Sequence, residues 1–148
     1  MFSKIIVGLD GSETSNTALR IACDLALKYS SELHLVHTSQ PQAVAYALGA
    51  VAGYHAVTTM PSDEEVEAAA KKVLDGGAEI VKELGLEIAQ SHSDVGDPAD
   101  RIIECANSCG ADLIVTGRRG LGSLGALVLG STTQRVNHLA TCACLSVA

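Results

Sequence analysis

The sequence predicts an α/β fold in which a parallel five-stranded sheet carries helices on both faces. Three observations lead there. Short apolar, β-branched runs alternate with longer stretches of helical period, giving the order β-α-β-α-β-α-β-α-β. Strands that alternate with helices in this way require right-handed crossovers. A single Phe and no Trp, in 148 residues of which 47% are apolar, leave Val, Ile, Leu and Ala to build the core, as in buried parallel strands and the helices over them. The length fits one domain over residues 1–148.

Each element has a local reason. Lys4 to Leu9 is a short β-branched strand, and Asp10-Gly11-Ser12 turns the chain into a helix over Glu13 to Tyr29. Leu33 to Thr38 is the second strand. Ser62-Asp63-Glu64-Glu65 is a capping box that opens a helix with apolar positions at Val66, Ala69, Val73, Ile80, Val81 and Leu84, ending at Gly85. Gly76-Gly77 weakens its middle. Leu86 to Val95 reads as a third, loosely alternating strand. Asp97-Pro98 supplies an N-cap and an N1 proline to a helix ending near Gly110, and Asp112 to Thr116 is a continuous apolar strand. A helix over Ser131 to Leu139 and a strand over Cys142 to Val147 complete the chain.

Residues 40–60 do not fit this alternation. The segment is almost uncharged and contains Gly49-x-x-x-Gly53, a pattern of membrane helices. Tyr46, Tyr54, His55 and the paired threonines dilute it, and a span inserted between two strands of one sheet would split the domain. A long apolar loop or short helix over the C-terminal edge of the sheet is expected instead. The opening Met1 to Asp10, one lysine followed at once by a strand-like run, reads as a first strand and not as a signal peptide, so a cytoplasmic location is expected. The formal charge of −7 argues against a general nucleic-acid binder. Five cysteines without C-x-x-C or histidine-rich partners suggest reduced, structural thiols.

Function is written most densely near the C-terminus. Gly117-Arg118-Arg119-Gly120 is followed, after nine residues, by Gly130-Ser131-Thr132-Thr133. Glycines let backbone approach a ligand, and a Gly-Ser-Thr-Thr run at a helix start presents unpaired N–H groups and hydroxyls to an anion. No acidic residue follows Asp112, so Arg118, Arg119 and Arg135 are expected to have nothing to neutralise them. The competing reading makes these glycines loop formers only, although five of them in positions 117–130 exceed what turns need. Gly120-x-Gly122-x-x-Gly125 satisfies a dinucleotide fingerprint but lacks the acidic residue that should follow about 20 positions later. Gly125 to Ser131 has the spacing of a P-loop with serine where lysine belongs.

With the order of elements and this spacing together, the chain resembles the universal stress protein family over essentially its full length. The ATP-binding branch of that family carries G-x-x-G, nine residues, then G-[S/T], which Gly117, Gly120, Gly130 and Ser131 match. Ile6-Val7-Gly8-Leu9-Asp10-Gly11-Ser12 is similar to the family's first strand end, Leu35-Val36-His37-Thr38 to its second strand, and Val95-Gly96-Asp97-Pro98 to its V-G-x-P. The resemblance implies an open, doubly wound sheet of strand order 3-2-1-4-5, with an adenine nucleotide at the C-terminal ends of strands one and four. By family position, the backbone around Gly8, Leu9, Asp10 and Thr38 would hold adenine and ribose. Thr116 and Gly117 would lie against the ribose, and Gly120, Gly130, Ser131, Thr132 and Thr133 would cradle the phosphates. Arg118 and Arg119 would either pair with phosphate or remain solvated.

The implied ligand is ATP, or AMP or another adenine nucleotide such as cyclic AMP, with Mg²⁺ carried on the phosphates. A homodimer is expected from family habit and from an edge strand that needs cover. Gly8 replaces a frequent proline, and the last strand lacks the family's proline-valine entry and holds Ser146. The leading reading is a nucleotide-dependent regulatory protein acting through a protein partner. A slow ATPase or phosphotransfer enzyme, and a nucleotide-free interaction module, are the alternatives; no side chain is placed by spacing as a general base.

Overall fold

The computed structural model describes residues 1–41, 60–120 and 129–148. The segment 42–59, and with it the expected apolar cover over the sheet, lies outside the described residues, as does 121–128 with Gly122 and Gly125. Among the described residues no helix is long and apolar enough to cross a membrane.

Among the described residues, five strands and four helices alternate: β1 (Lys4–Leu9), α1 (Glu13–Tyr29), β2 (Glu32–Ser39), α2 (Asp63–Glu83), β3 (Gln90–Val95), α3 (Pro98–Cys109), β4 (Leu113–Gly117), α4 (Ser131–Leu139) and β5 (Ala143–Val147). All neighbouring strands are parallel and the sheet order is β3-β2-β1-β4-β5. The order reverses between β1 and β4, which pair in register from Ile5 opposite Leu113 to Gly8 opposite Thr116. The carboxyl ends of those two strands therefore open a crevice, the place where sheets of this kind hold ligands.

Strand residues alternate between two cores. Ile5, Val7, Leu9, Leu33, Leu35, Leu113 and Val115 pack with Ala18, Leu19, Ala22, Cys23 and Ala26 of α1 and Val81 of α2. Ile6, Val36 and Ile114 pack on the other face with Ala99, Ile102 and Ala106 of α3 and Val136 of α4. Burial on both sides is why the central strands read as unbroken apolar runs.

The caps follow the residue types. Both halves of the Ser62/Glu65 capping box form, with Ser62 N–H donating to Glu65 Oε2 at 2.8 Å and Glu65 N–H to Ser62 Oγ at 3.3 Å. Asp97 caps α3 by accepting from the N–H groups of Ala99 and Asp100, with Pro98 at N1. Ser30 ends α1 in the left-handed conformation at φ 55°.

The third strand is shorter than the Leu86 to Val95 expected from sequence. Gly85, at φ 75°, turns the chain out of α2, and Leu86 N–H returns to Val81 O at 3.1 Å. Leu86 and Ile88 are apolar because they pack against the α1/α2 core, not because they lie in the sheet. Pairing starts only where Ala89 N–H reaches Leu33 O and Gln90 faces His34. The strand proper is an edge strand whose residues are almost all exposed.

Gly76 and Gly77 differ in what surrounds them. A Cβ on Gly77 would stand 2.7 Å from Leu9 Cδ1 and 3.3 Å from Leu35 Cδ1, so this glycine lets α2 lie against the sheet. At Gly76 nothing lies within 4 Å. Gly76→Ala should gain about 0.5–1 kcal/mol from helix propensity. Gly77→Ala gains the same propensity but overpacks Leu9 and Leu35, and it should finish about 1–3 kcal/mol below Gly76→Ala. Urea denaturation of the two single variants checks this; equal stabilities would mean that the leucines repack without cost.

Candidate nucleotide site

Asp10, Gly120 and the start of α4 converge at the crevice. Asp10 follows β1 directly, and its Oδ1 accepts from Ser12 N–H at 2.9 Å and from Ser12 Oγ at 2.6 Å. Ser12 is the N-cap of α1, so this Asx-type turn fixes both the carboxylate and the helix entry. A Cβ on Gly120 would collide with Asp10 Oδ2. Glycine at 120 is thus the condition for the loop to lie on the aspartate.

The loop Gly117–Gly120 is held through three successive carbonyls. Gly117 O accepts from Thr133 Oγ1 at 2.7 Å, Arg118 O from Gly130 N–H at 2.8 Å, and Arg119 O from Thr14 Oγ1 at 2.5 Å. In a trans peptide the N–H points opposite to the preceding carbonyl. The Arg119 amide is thereby turned away from Gly130. Arg118 N–H continues the sheet to Val147 O. Gly117 is confined as well: a Cβ there would stand 2.9 Å from Thr14 C and 3.0 Å from Ser15 N, both backbone atoms of α1. Gly130 packs against the same loop, its Cβ position 3.3 Å from Arg118 O.

α4 begins without a side-chain cap, since its N-cap is Gly130. Its first backbone hydrogen bond is Gln134 N–H to Gly130 O at 2.8 Å, which leaves the N–H groups of Ser131, Thr132 and Thr133 at the open end. Ser131 is exposed and Thr132 half-buried, and among the described residues neither hydroxyl has a hydrogen-bond partner. Thr133 differs: it is buried, and its hydroxyl is committed to Gly117 O.

The cations divide in a way the linear sequence does not show. Arg135, without an acidic neighbour along the chain, is neutralised in space. Its guanidinium meets Asp97 at 2.9 Å and Asp100 at 2.7 Å, joining α4 to the start of α3. Arg118 is exposed and Arg119 half-buried, and neither makes an ion pair among the described residues.

Gly8, Leu9, Thr38 and Thr116 lie on the strand ends. A Cβ on Gly8 would stand 2.8 Å from Ile102 Cδ1 and 3.4 Å from Thr116 Cγ2, so glycine here admits α3 to the sheet. Leu9 is buried, and its carbonyl faces His37 Nδ1 at 2.9 Å. Thr116 is buried beside Gly8. Thr38, one residue before the end of β2, lies opposite Asp94, with a buried hydroxyl that has no partner among the described residues. Gly8 and Thr116 face each other across β1 and β4 at the crevice, and Thr38 lies on β2, the strand on the other side of β1.

The universal stress protein family model matches residues 1–148. The chain belongs to this family. Its sequence is 33% identical to universal stress protein YxiE of Bacillus subtilis over 150 residues, covering 99% of each chain. Among solved structures, a universal stress protein from Archaeoglobus fulgidus in complex with dAMP superposes with a TM-score of 0.71 at 23% identity, covering 99% of this chain and 98% of that one. A universal stress protein in complex with cAMP matches with a TM-score of 0.69 at 24% identity over 99% and 97% of the two chains. The observed sheet order is the one the family resemblance implied.

In this universal stress protein, three residues of the site do not stand out in the sequence: Ser12, Thr14 and His37. For Ser12 and Thr14 the signal is a hydroxyl-rich strand-to-helix junction, Asp10-Gly11-Ser12-Glu13-Thr14, which reads as a turn into the first helix, and His37 enters only as part of the second-strand match. The cysteines lie elsewhere, all five as free thiols. Burial pushes Cys23 up to about 11; burial, and then the neighbouring Cys109, does the same for Cys105. Both are protonated at neutral pH and poor nucleophiles. No group of His, Cys, Asp or Glu among the described residues is arranged to hold a metal ion.

Proposed function

We propose that this universal stress protein binds an adenine nucleotide, ATP in the first place, across the β1/β4 crevice, and that occupancy alters the surface offered to a regulatory partner. One observation carries the reading. Three consecutive carbonyls of the glycine loop are all engaged by the protein, beside a helix start whose leading amides and Ser131 and Thr132 hydroxyls are left for a ligand. Such an array suits phosphate, and Arg118 and Arg119 add positive charge. The complexes of family members with dAMP and cAMP support adenine as the base.

The residues present fit phosphates better than a protein-held metal. Asp10 is the carboxylate beside the loop, and its Oδ1 is already taken by Ser12. Mg²⁺ would ride on the phosphates. Slow or absent hydrolysis belongs to this reading, since the sequence holds no lysine after Lys82 to neutralise the phosphates and its spacing places no side chain as a general base. The protein acts in the cytoplasm as a homodimer.

Denaturing freshly purified protein and identifying the released nucleotide tests the reading, with calorimetry against ATP, AMP and cAMP. Release of an adenine nucleotide, tightest binding of ATP and a turnover well below about 1 s⁻¹ are expected. Absence of release together with no heat from any of the three overturns it. Light scattering should give about twice the chain mass of 15.2 kDa.

A further inference from the structure

Thr14 lies outside the glycine motif yet holds its most exposed turn. Its hydroxyl donates to Arg119 O at 2.5 Å, and its backbone, with that of Ser15, is what confines Gly117. We propose that Thr14 is a positioning residue that aims the phosphate-facing loop and, through Ser12, couples it to Asp10. The proposal rests on the nucleotide reading above.

The protons can be counted. Each hydroxyl has one to give. Ser12 gives its own to Asp10 Oδ1 at 2.6 Å and accepts from Ser15 N–H at 3.2 Å; Thr14 gives its own to Arg119 O. The two hydroxyl oxygens are 3.1 Å apart, with no proton left to share between them. A ligand hydroxyl, such as that of a ribose, that takes the place of the Ser12 hydroxyl on Asp10 Oδ1 leaves Ser12 N–H on the carboxylate and turns the displaced Ser12 hydroxyl to Thr14. A hydroxyl that accepts a hydrogen bond donates a stronger one. Exchange of the donor at Asp10 Oδ1 therefore tightens the bond that sets the loop on the phosphate side.

Thr14→Val keeps the shape and removes the donor, leaving Arg119 O without its partner; Thr14→Ser keeps the donor. By calorimetry, ATP should bind about three- to tenfold more weakly to Thr14→Val and within about twofold of wild type to Thr14→Ser. Adenosine, which has no phosphate, should lose less than ATP in Thr14→Val. Saturating adenosine should tighten inorganic tripolyphosphate binding about threefold in wild type and in Thr14→Ser, and should leave it unchanged in Thr14→Val.

A folded Thr14→Val protein with wild-type ATP affinity overturns the proposal, as does equal loss of ATP and adenosine, which would make Thr14 a purely structural contact. Failure of adenosine to affect tripolyphosphate in wild type overturns the coupling to Asp10. If wild type binds none of these probes, the nucleotide reading itself fails, and amide exchange at Arg118 to Gly120 still decides the positioning role: faster in Thr14→Val, unchanged in Thr14→Ser. Should the valine variant not fold, Thr14→Ala takes its place in each comparison.

Discussion

Gly120→Val protein should fold and bind no adenine nucleotide. Even the first carbon of the new side chain collides with Asp10 Oδ2, and Asp10 is held in place by two hydrogen bonds from Ser12. The loop must move, and its displacement strains the bond from Thr14 to Arg119 O and the contacts of Gly130. Several charge-assisted hydrogen bonds to phosphate are lost together, each worth about 1.5–3 kcal/mol, so affinity should fall by more than about a hundredfold. Gly120 is exposed and contributes to neither core, which is why the fold survives. Calorimetry with ATP, beside circular dichroism, measures both halves. A folded variant with unchanged affinity would mean that the nucleotide binds elsewhere.

Gly117→Ala should fail for a different reason, losing stability before it loses ligand. The added methyl meets Thr14 C at 2.9 Å and Ser15 N at 3.0 Å, and neither is a side-chain end that can rotate aside. α1 would have to withdraw from β4, opening the core that Ala18, Leu19 and Val115 share. Overpacking against backbone should cost at least about 1–3 kcal/mol, or roughly 2–4 °C in Tm for each kcal/mol in a chain of this size. Thermal unfolding of the nucleotide-free protein reads it directly. A Tm within about 1 °C of wild type would show that the α1 entry is more yielding than its contacts imply.

Much of the fold could be read from the chain because its signals are local. Ser62 with Glu65, Asp97 with Pro98 and the apolar runs of β1 and β4 each act within a few residues, and each formed the element expected of it. The error at Leu86 to Ala89 arose because apolar residues that seal a helix against a core look like the start of a strand. Arg135 was misread for a related reason: its partners are Asp97 and Asp100, more than thirty positions away, and charge counted along a sequence ignores such pairs. The glycines of the site were conspicuous, but their physical reasons were not. Gly117 and Gly120 are shaped by Thr14, Ser15 and Asp10, and Gly8 by Ile102, all contacts that only the folded chain creates.

The two rims of the sheet have unlike surfaces. β3 offers Gln90, Ser91, Ser93 and Asp94 to solvent, with Val95 as its lone apolar residue, whereas β5 carries Cys144, Leu145 and Val147 at least half-buried. A chain whose two edges were equally sticky could add copies end upon end without limit. Here the water-loving rim refuses the next strand. In the proposed homodimer, pairing through β5 would close upon itself after two copies, so that growth would stop at a finite particle.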